Sequence, residues 1–251
     1  PKAPEELYDL QSDRDEVNNL AGSPAHQAVL EKLRAAQQAH SRRIRDLGFI
    51  PGGERLTRAG TLAPYDFGHD VAKYPYERVV AAADLASSLK PEATPALLQL
   101  LTDADSAVRY WGALGLLMRA PGSFGPARAA LRTALADTSP YVRIAAAETL
   151  ARFGDAADRG LALPVLVTLA DWGRHDVFTA LAALHALDAI GPQIESVRAG
   201  VLALPAAGPV PDSRYAPYIP RILADLRASL GAEPAAEPAA KRAKGKKKTA
   251  D

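Results

Sequence analysis

The sequence predicts a mainly α-helical protein, in which pairs of helices stack into an α-solenoid behind a short strand and a first helix. Three observations predict this architecture. Apolar residues make up 48% of the 251 residues but aromatic residues only 6%, and an alanine- and leucine-rich chain with few aromatics favours closely packed helices. A segment of roughly 34 residues recurs along the middle of the chain. Serine, proline and glycine stand where those helices would begin and end.

The chain divides into four predicted parts. Glycine and proline are scattered through the second part, which is typical of a long surface loop. The last part has low complexity and no large apolar residue, a composition that cannot build a packed core. We expect a strand (5–12) and a helix from Ser23-Pro24 in 1–50, a linker loop in 51–75, helical repeats in 76–231 and a disordered basic tail in 232–251.

The repeats can be aligned directly. The segment "LLTDADSAVRYWGALGLLMR" (100–119) matches "ALADTSPYVRIAAAETLARFG" (134–154), and a third copy covers 168–191. In the second copy Ser139 precedes a helix as its cap and Gly154 stops it. One helix pair cannot bury its own apolar face, so a period in the thirties with two helices per unit indicates an α-solenoid.

Charged residues recur with the same period. Asp103 and Asp137 lie 34 positions apart, as do Arg109 and Arg143, and Asp171 continues the aspartate series. We expect these residues between neighbouring repeats, where a carboxylate can accept from a turn N–H or from an adjacent arginine. The sequence therefore predicts a structural ladder and not a binding site.

A spacing of the form D-x-S-x-x-V-R-x-x-A underlies the repeat, and Asp137, Val142, Arg143 and Ala146 carry it most clearly. Over 76–191 the chain resembles HEAT-type repeats. That resemblance implies an α-solenoid of HEAT-like helix pairs, with a face that could hold a protein partner, and says little more about function.

The opening stretch "EELYDLQSDRDEVNNLAGSPAHQAVLEKLRAAQQAH" contains a strand of the form E-L-Y-D-L, an acidic turn that leads to Asn19-Leu20, and a helix from Pro24. Residues 5–47 resemble the C-terminal subdomain of bacterial sulfatases of the alkaline-phosphatase-like superfamily. Arg14 stands where that family usually has proline, a change that a type I turn accepts. In the helix one apolar face is formed by Val29, Leu33, Ala36, Ile44 and Leu47.

The sulfatase resemblance implies that the catalytic core precedes Pro1 and that this chain alone is inactive. The parent would be a periplasmic or secreted hydrolase of sulfuric esters or sulfamates, acting on sulfated glycans. It would use a C/S-x-P-x-R nucleophile motif and calcium. The chain has no cysteine, and Ser23-Pro24 and Ser139-Pro140 lack the motif's spacing. We therefore predict no catalytic, cofactor-binding or metal-binding residue here.

Other polar groups have a functional and a structural interpretation, and the structural one is favoured for each. The five histidines lack metal-site spacing. His175-Asp176 would cap a helix at a repeat turn. The first helix ends in three cations, which would complement the helix dipole or else form a sulfate site: Arg42, Arg43 and Arg45. The segment around position 69 would be an ordinary polar turn or else a loop that reaches a catalytic cleft. Its polar residues are Tyr65, Asp66, His69 and Asp70.

Charge and hydropathy limit the partners. The net charge is +1, but residues 232–251 hold six basic and three acidic residues, so 24 basic and 26 acidic residues remain in the body of the chain. Such a body is not a basic nucleic-acid surface, although the lysine-rich tail could touch an anionic partner. No apolar run approaches the roughly 20 residues that span a bilayer. A freestanding helical-repeat scaffold for a protein partner remains the alternative function.

Overall fold

The computed structural model describes residue 3 and residues 5–232, and helices account for 67% of the residues it describes. The prediction of a mainly α-helical protein is confirmed. The predicted disordered tail, apart from Ala232, lies outside the described residues. Along the described chain the α-helices are α1 (Gln27–Ile44), α2 (Gly52–Ala59), α3 (Pro64–His69), α4 (Tyr76–Ser87), α5 (Thr94–Leu100), α6 (Ser106–Arg119), α7 (Phe124–Ala134), α8 (Pro140–Phe153), α9 (Ala156–Leu169), α10 (Val177–Ile190), α11 (Arg198–Leu202) and α12 (Tyr218–Ser229).

Short 3₁₀ helices connect several of these elements. They lie at Pro24–His26, Leu47–Phe49, Pro91–Ala93, Gly191–Val197 and Ser213–Tyr215. The chain forms two compact units, Pro1–Ala83 and Asp84–Asp251, so the division falls inside α4.

The predicted strand at 5–12 is absent from the described residues, which include no strand. The backbone here is held by one side chain: Leu7 N donates to Asn19 Oδ1 at 3.0 Å and Asn19 Nδ2 donates to Glu5 O at 2.9 Å. One backbone bond, from Leu20 N to Leu7 O at 2.7 Å, accompanies it. A ladder needs a succession of such bonds, and the chain instead turns at Asp9, whose carboxylate accepts from Gln11 N.

The stretch 51–75 holds α2 and α3, so the expectation of an irregular linker is corrected. Its prolines start helices: Pro51 is the N-cap of α2, and Pro64 occupies the first position of α3, where its missing N–H costs nothing. Gly60 ends α2 with a positive φ of 58°. Breaker residues at helix ends resemble loop residues when only composition is considered.

An aromatic cluster forms the core of the first unit. Phe67, Tyr74 and Tyr76 are fully or almost fully buried, and the Tyr74 ring lies 6.0 Å from Phe67 and 5.7 Å from Tyr76. The Tyr76 hydroxyl is 2.9 Å from the buried Ser41 Oγ. Burial raises the pKa of the Tyr74 hydroxyl.

Helices of the second unit pack in two rows. In one row α6, α8 and α10 lie side by side, and α12 packs against α10. In the other row α5 packs on α6, α7 packs on α8, and α9 packs on both α8 and α10. A continuous apolar core lies between the rows and includes Leu116, Leu150, Leu166 and Leu187.

Glycines let α5 approach α6 closely. An added Cβ on Gly115 would lie 2.6 Å from Leu97 Cδ2, and one on Gly112 would lie 2.9 Å from Leu100 Cβ. The proline-rich crossing before α12 is held by Trp172, whose buried indole N–H donates to Pro209 O at 2.9 Å. The crossing leads to α12, which packs directly against α10, and the candidate site lies between these two helices.

Candidate functional site

The predicted ladder between repeats is formed by one bidentate ion pair. Arg109 Nε and Nη2 donate to the two carboxylate oxygens of Asp137 at 2.7 and 2.8 Å. The side chains are only 13% and 11% exposed. Burial by itself would raise the pKa of Asp137, but the bonds from Arg109 and from Ser139 N lower it overall. Both residues therefore act structurally.

The three aspartates spaced by 34 residues form the same turn. Asp103 Oδ1 accepts from Asp105 N at 2.7 Å, Asp137 Oδ1 accepts from Ser139 N at 2.7 Å, and Asp171 Oδ1 accepts from Gly173 N at 2.9 Å. Each carboxylate thus bonds the backbone two residues on. The period in the sequence reflects this local geometry.

The ladder does not continue to the third aspartate. Arg143 Nε donates to Leu135 O at 3.1 Å within its own segment, and Asp171 pairs with the exposed Arg174 at 3.2 Å. Asp176 caps α10 through Phe178 N and Thr179 N, as expected for a repeat turn.

The polar residues predicted near position 69 belong to α3. His69 stacks on the Tyr65 ring with centroids 4.1 Å apart, and its Nδ1 lies 2.8 Å from Tyr65 O. Asp70 accepts from Ala72 N at 3.0 Å. These contacts are those of a helix end and the turn after it.

The three arginines at the end of α1 do not converge. Arg42 pairs with Glu77 at 3.1 Å, and an Arg43 Nη2 lies 2.9 Å from His40 Nδ1. Arg45 adopts a left-handed conformation as the C-cap of α1, and its guanidinium donates to Gly68 O and Tyr74 O. Arg45 is thus part of the first unit's core.

A serine and a histidine meet at the start of the first helix, a contact that we did not expect from the sequence. Ser23 Oγ lies 3.0 Å from His26 Nδ1. The nearby Asp9 carboxylate is occupied by Ser12 Oγ at 2.8 Å and by Gln11 N. The contact is a local one between residues three apart, and among the described residues no third group hydrogen-bonds to the imidazole, as catalysis would require.

No group of three or more metal-ligating side chains is positioned to hold an ion in the part of the chain that the structure describes. A cluster of charges does occur beside α9, where the fully buried Asp158 pairs with Arg128 and Arg132, each at 2.7 Å. Asp155 and Asp158 form a capping box at the start of that helix. This cluster fixes α7 to α9.

A groove between α10 and α12 is the strongest candidate site. It has a volume of about 290 Å³, at the lower edge of the range for ligand pockets. Its ionisable side chains are exposed. The groove is lined by Leu181, His185 and Asp188 of α10 and by Tyr218, Arg221, Ile222 and Asp225 of α12. Leu181, His185 and Asp188 are spaced by four and three residues, so they share one helix face.

The apolar face predicted on α1 is uncovered. Val29, Leu33 and Ile44 are 49%, 51% and 45% exposed, and Ala36 between them is exposed as well. We call these four residues the α1 stripe. The fifth predicted residue, Leu47, lies beyond α1 in the 3₁₀ helix Leu47–Phe49 and is half-buried. Helical spacing predicted one apolar face, but α1 buries Leu30 and Ser41 on a different one.

One helical run is long and apolar enough to cross a membrane among the described residues. It extends from Val177 to Leu202 and has a mean hydropathy of 1.3 in its best window. Half of that window is buried inside the fold, where Leu184 and Leu187 join the core. A core helix has the same composition, so the run gives no clear transmembrane segment.

Comparisons of the chain with protein-family models, with curated proteins and with solved structures gave no match. Function is therefore argued from the residues and their geometry.

Proposed function

We propose that this chain is the C-terminal part of a sulfatase of the alkaline-phosphatase-like superfamily. Residues 5–47 would complete the small subdomain beside a catalytic core that precedes Pro1, and α5–α12 would form an appendage of HEAT-type helix pairs. The reaction, hydrolysis of sulfate esters or sulfamates on glycans, would take place in that core with its calcium ion. The parent enzyme would be periplasmic or secreted.

The observation that carries the proposal is the uncovered α1 stripe. A helix that presents half-exposed Val29, Leu33 and Ile44 along one face has the pattern of a helix that packs against another surface. The same helix is joined to the opening segment through the ion pair of Arg34 with Glu5. The motif that resembles a sulfatase and the stripe thus belong to one small unit.

Two features support the HEAT-type appendage. The side-by-side packing of α6, α8 and α10, with α5, α7 and α9 on their flank, is the order that stacked helix pairs produce. The aspartate turns at Asp103, Asp137 and Asp171 repeat with the period of the sequence.

The test begins with the reading frame upstream of Pro1. We expect it to continue without a stop codon and to encode a C/S-x-P-x-R motif. The whole product should hydrolyse 4-nitrophenyl sulfate, and the 251-residue chain should not. A stop codon next to Pro1, or a frame without the motif, would overturn the proposal.

The α1 stripe can be tested in the same whole product. Leu33→Asp should loosen the packing of α1, so that limited proteolysis separates this part of the protein from the catalytic core faster. Gln38→Asp, on the opposite exposed face of the helix, is the matched control and should leave the cleavage rate unchanged. Equal cleavage of both variants would contradict the assigned role of the stripe.

A freestanding repeat scaffold is the second candidate function. It is favoured by the second unit's own continuous core and by the polar groove between α10 and α12. Partner binding by the isolated chain, in the absence of an upstream catalytic frame, would support it over the sulfatase.

A further inference from the structure

The groove between α10 and α12 exposes charges that have no partner within the described chain. No side-chain hydrogen bond or ion pair within the described chain engages His185, Asp188, Arg221 or Asp225. Arg221 and Asp225 are four residues apart, but the cation precedes the anion, which is the weaker order for a pair on a helix. The groove therefore keeps two carboxylates, one imidazole and one guanidinium available to a ligand.

The two helices run in the same direction, which gives the groove two different ends. The Tyr215 ring lies 4.9 Å from Phe178 near the start of α10 and 6.3 Å from Tyr218 at the start of α12. Because the helix starts meet there, Asp188 and Asp225 both lie further along, at the other end. The helix rise puts the carboxylates about 10–15 Å from the aromatic rings.

Each end favours a different ligand group. The aromatic end offers Tyr218, 45% exposed, together with Leu181 and Ile222. At the acidic end the two carboxylates lie towards the C-terminal ends of their helices, where the helix dipole also favours a cation. Between the ends stand His185 and Arg221, which can donate to carbonyl or carboxylate oxygens.

We propose that this groove binds an extended peptide segment of a partner protein. A lysine or arginine of that segment would lie at Asp188 and Asp225, and an aromatic or aliphatic side chain at Tyr218 and Leu181. At about 3.3 Å per residue, the length of the groove sets these two side chains three or four residues apart. The proposal rests on the second unit alone and does not depend on the sulfatase proposal.

The size and charge of the groove select this occupant. A volume of about 290 Å³ with exposed walls accommodates a few side chains and does not enclose a drug-sized molecule. The chain's own segment 233–251 carries basic residues but no large apolar residue, so it could satisfy the acidic end only. A partner segment with both groups satisfies both ends.

The first experiment measures the spacing. The labelled full chain is applied to an array of heptapeptides in which one leucine and one lysine stand two to six residues apart, with glutamate replacing lysine in the control set. Binding should be strongest at separations of three and four, and the glutamate set should not bind. Binding that is independent of the separation, or equal for the glutamate set, overturns the proposal.

The second experiment uses variants and the best peptide of the array. The double variant D188N/D225N should bind about tenfold more weakly by fluorescence polarisation, since each exposed charge pair contributes modestly. The matched control Asp84→Asn changes an exposed aspartate on α4 and should leave the affinity unchanged. Equal affinity of the double variant and the wild type overturns the proposal.

A chain that ends at Ala232 tests the internal competitor. We expect it to bind the peptide as the full chain does. If the peptide binds only after this truncation, the chain's own tail is the occupant, and the assignment of the groove to a partner is overturned.

Discussion

The Arg109–Asp137 ion pair allows the sharpest test of how the second unit is held together. Arg109→Met removes the guanidinium but keeps most of the aliphatic stem. The substitution leaves the Asp137 carboxylate, whose side chain is 11% exposed, without its bidentate donor. It also frees Asp103 O, which accepts from Arg109 Nη1 at 2.9 Å.

The burial of the Arg109–Asp137 ion pair determines how much stability is lost when Arg109 is replaced. Removing one partner of a buried ion pair costs about 3–5 kcal/mol, whereas exposed pairs contribute about 0.2–1 kcal/mol. Asp137 keeps its bond from Ser139 N, so we expect the lower end, about 3 kcal/mol. For a unit of this size that corresponds to a fall in melting temperature of roughly 6–12 °C.

Tryptophan fluorescence during urea unfolding is the assay, because both tryptophans of the chain, Trp111 and Trp172, lie in the second unit. Arg174→Met is the matched control. It breaks the corresponding pair with Asp171, in which Arg174 is 77% exposed, and should cost less than about 0.5 kcal/mol. Equal losses from the two substitutions would refute the argument from burial.

Three other measurements use the same fluorescence signal. Gly154→Ala should lower the free energy of unfolding by about 1–3 kcal/mol, since an added Cβ would lie 2.4 Å from the Asp158 carboxylate. Acidification should destabilise the unit, because the Asp158 backbone N–H and the Arg128 guanidinium lower the pKa of Asp155 to about 2. Its stabilising effect is complete above the unfolded value near ~4 and is lost as the pH falls towards 2, so Asp155→Asn should flatten that part of the profile. Arg119→Met should cost about 2–3 kcal/mol, because its guanidinium donates to the last carbonyls of α4 at 2.8 and 2.9 Å.

Control substitutions for Gly154→Ala and Arg119→Met show which results would contradict these expectations. Gly160→Ala in α9, where an added Cβ meets no atom within 4 Å, should raise stability by about 0.5–1 kcal/mol. Arg214→Met breaks an exposed pair with Asp212 and should cost under about 0.5 kcal/mol. A destabilising Gly160→Ala, an Arg214→Met as costly as Arg119→Met, or an unchanged acid profile for Asp155→Asn would each contradict the corresponding argument.

Helix positions in the second unit could be predicted because local signals and packing agree there. Ser139 and Gly154 flank α8 as expected, and Val142 and Leu150 on this helix are fully buried. The 51–75 segment was harder, because the glycines and prolines that start and end α2 and α3 also suit a loop. A strand at 5–12 would need a partner to pair with, and the E-L-Y-D-L motif does not reveal whether a partner is present.

The candidate groove could not be predicted from the sequence. Its two walls, at Leu181–Asp188 and Tyr218–Asp225, come from segments separated by the proline-rich crossing, and they meet through the tertiary packing of α12 on α10. The helical spacing of Leu181, His185 and Asp188 was present in the sequence, but the same spacing occurs on ordinary solvated faces. Only the absence of internal partners in the described chain distinguishes the polar residues of this face from those of an ordinary solvated face.

The two exposed surfaces differ in chemistry, and this difference separates their roles. The α1 stripe is aliphatic, and permanent interfaces are the ones rich in apolar contact. The α10–α12 groove presents charges with a small apolar end, which suits a reversible and salt-sensitive contact. The proposed catalytic core would fit the first surface, and the proposed exchangeable peptide would fit the second. The salt dependence of each association therefore tests the distinction: high salt should weaken peptide binding at Asp188 and Asp225 and leave the packing at Leu33 intact.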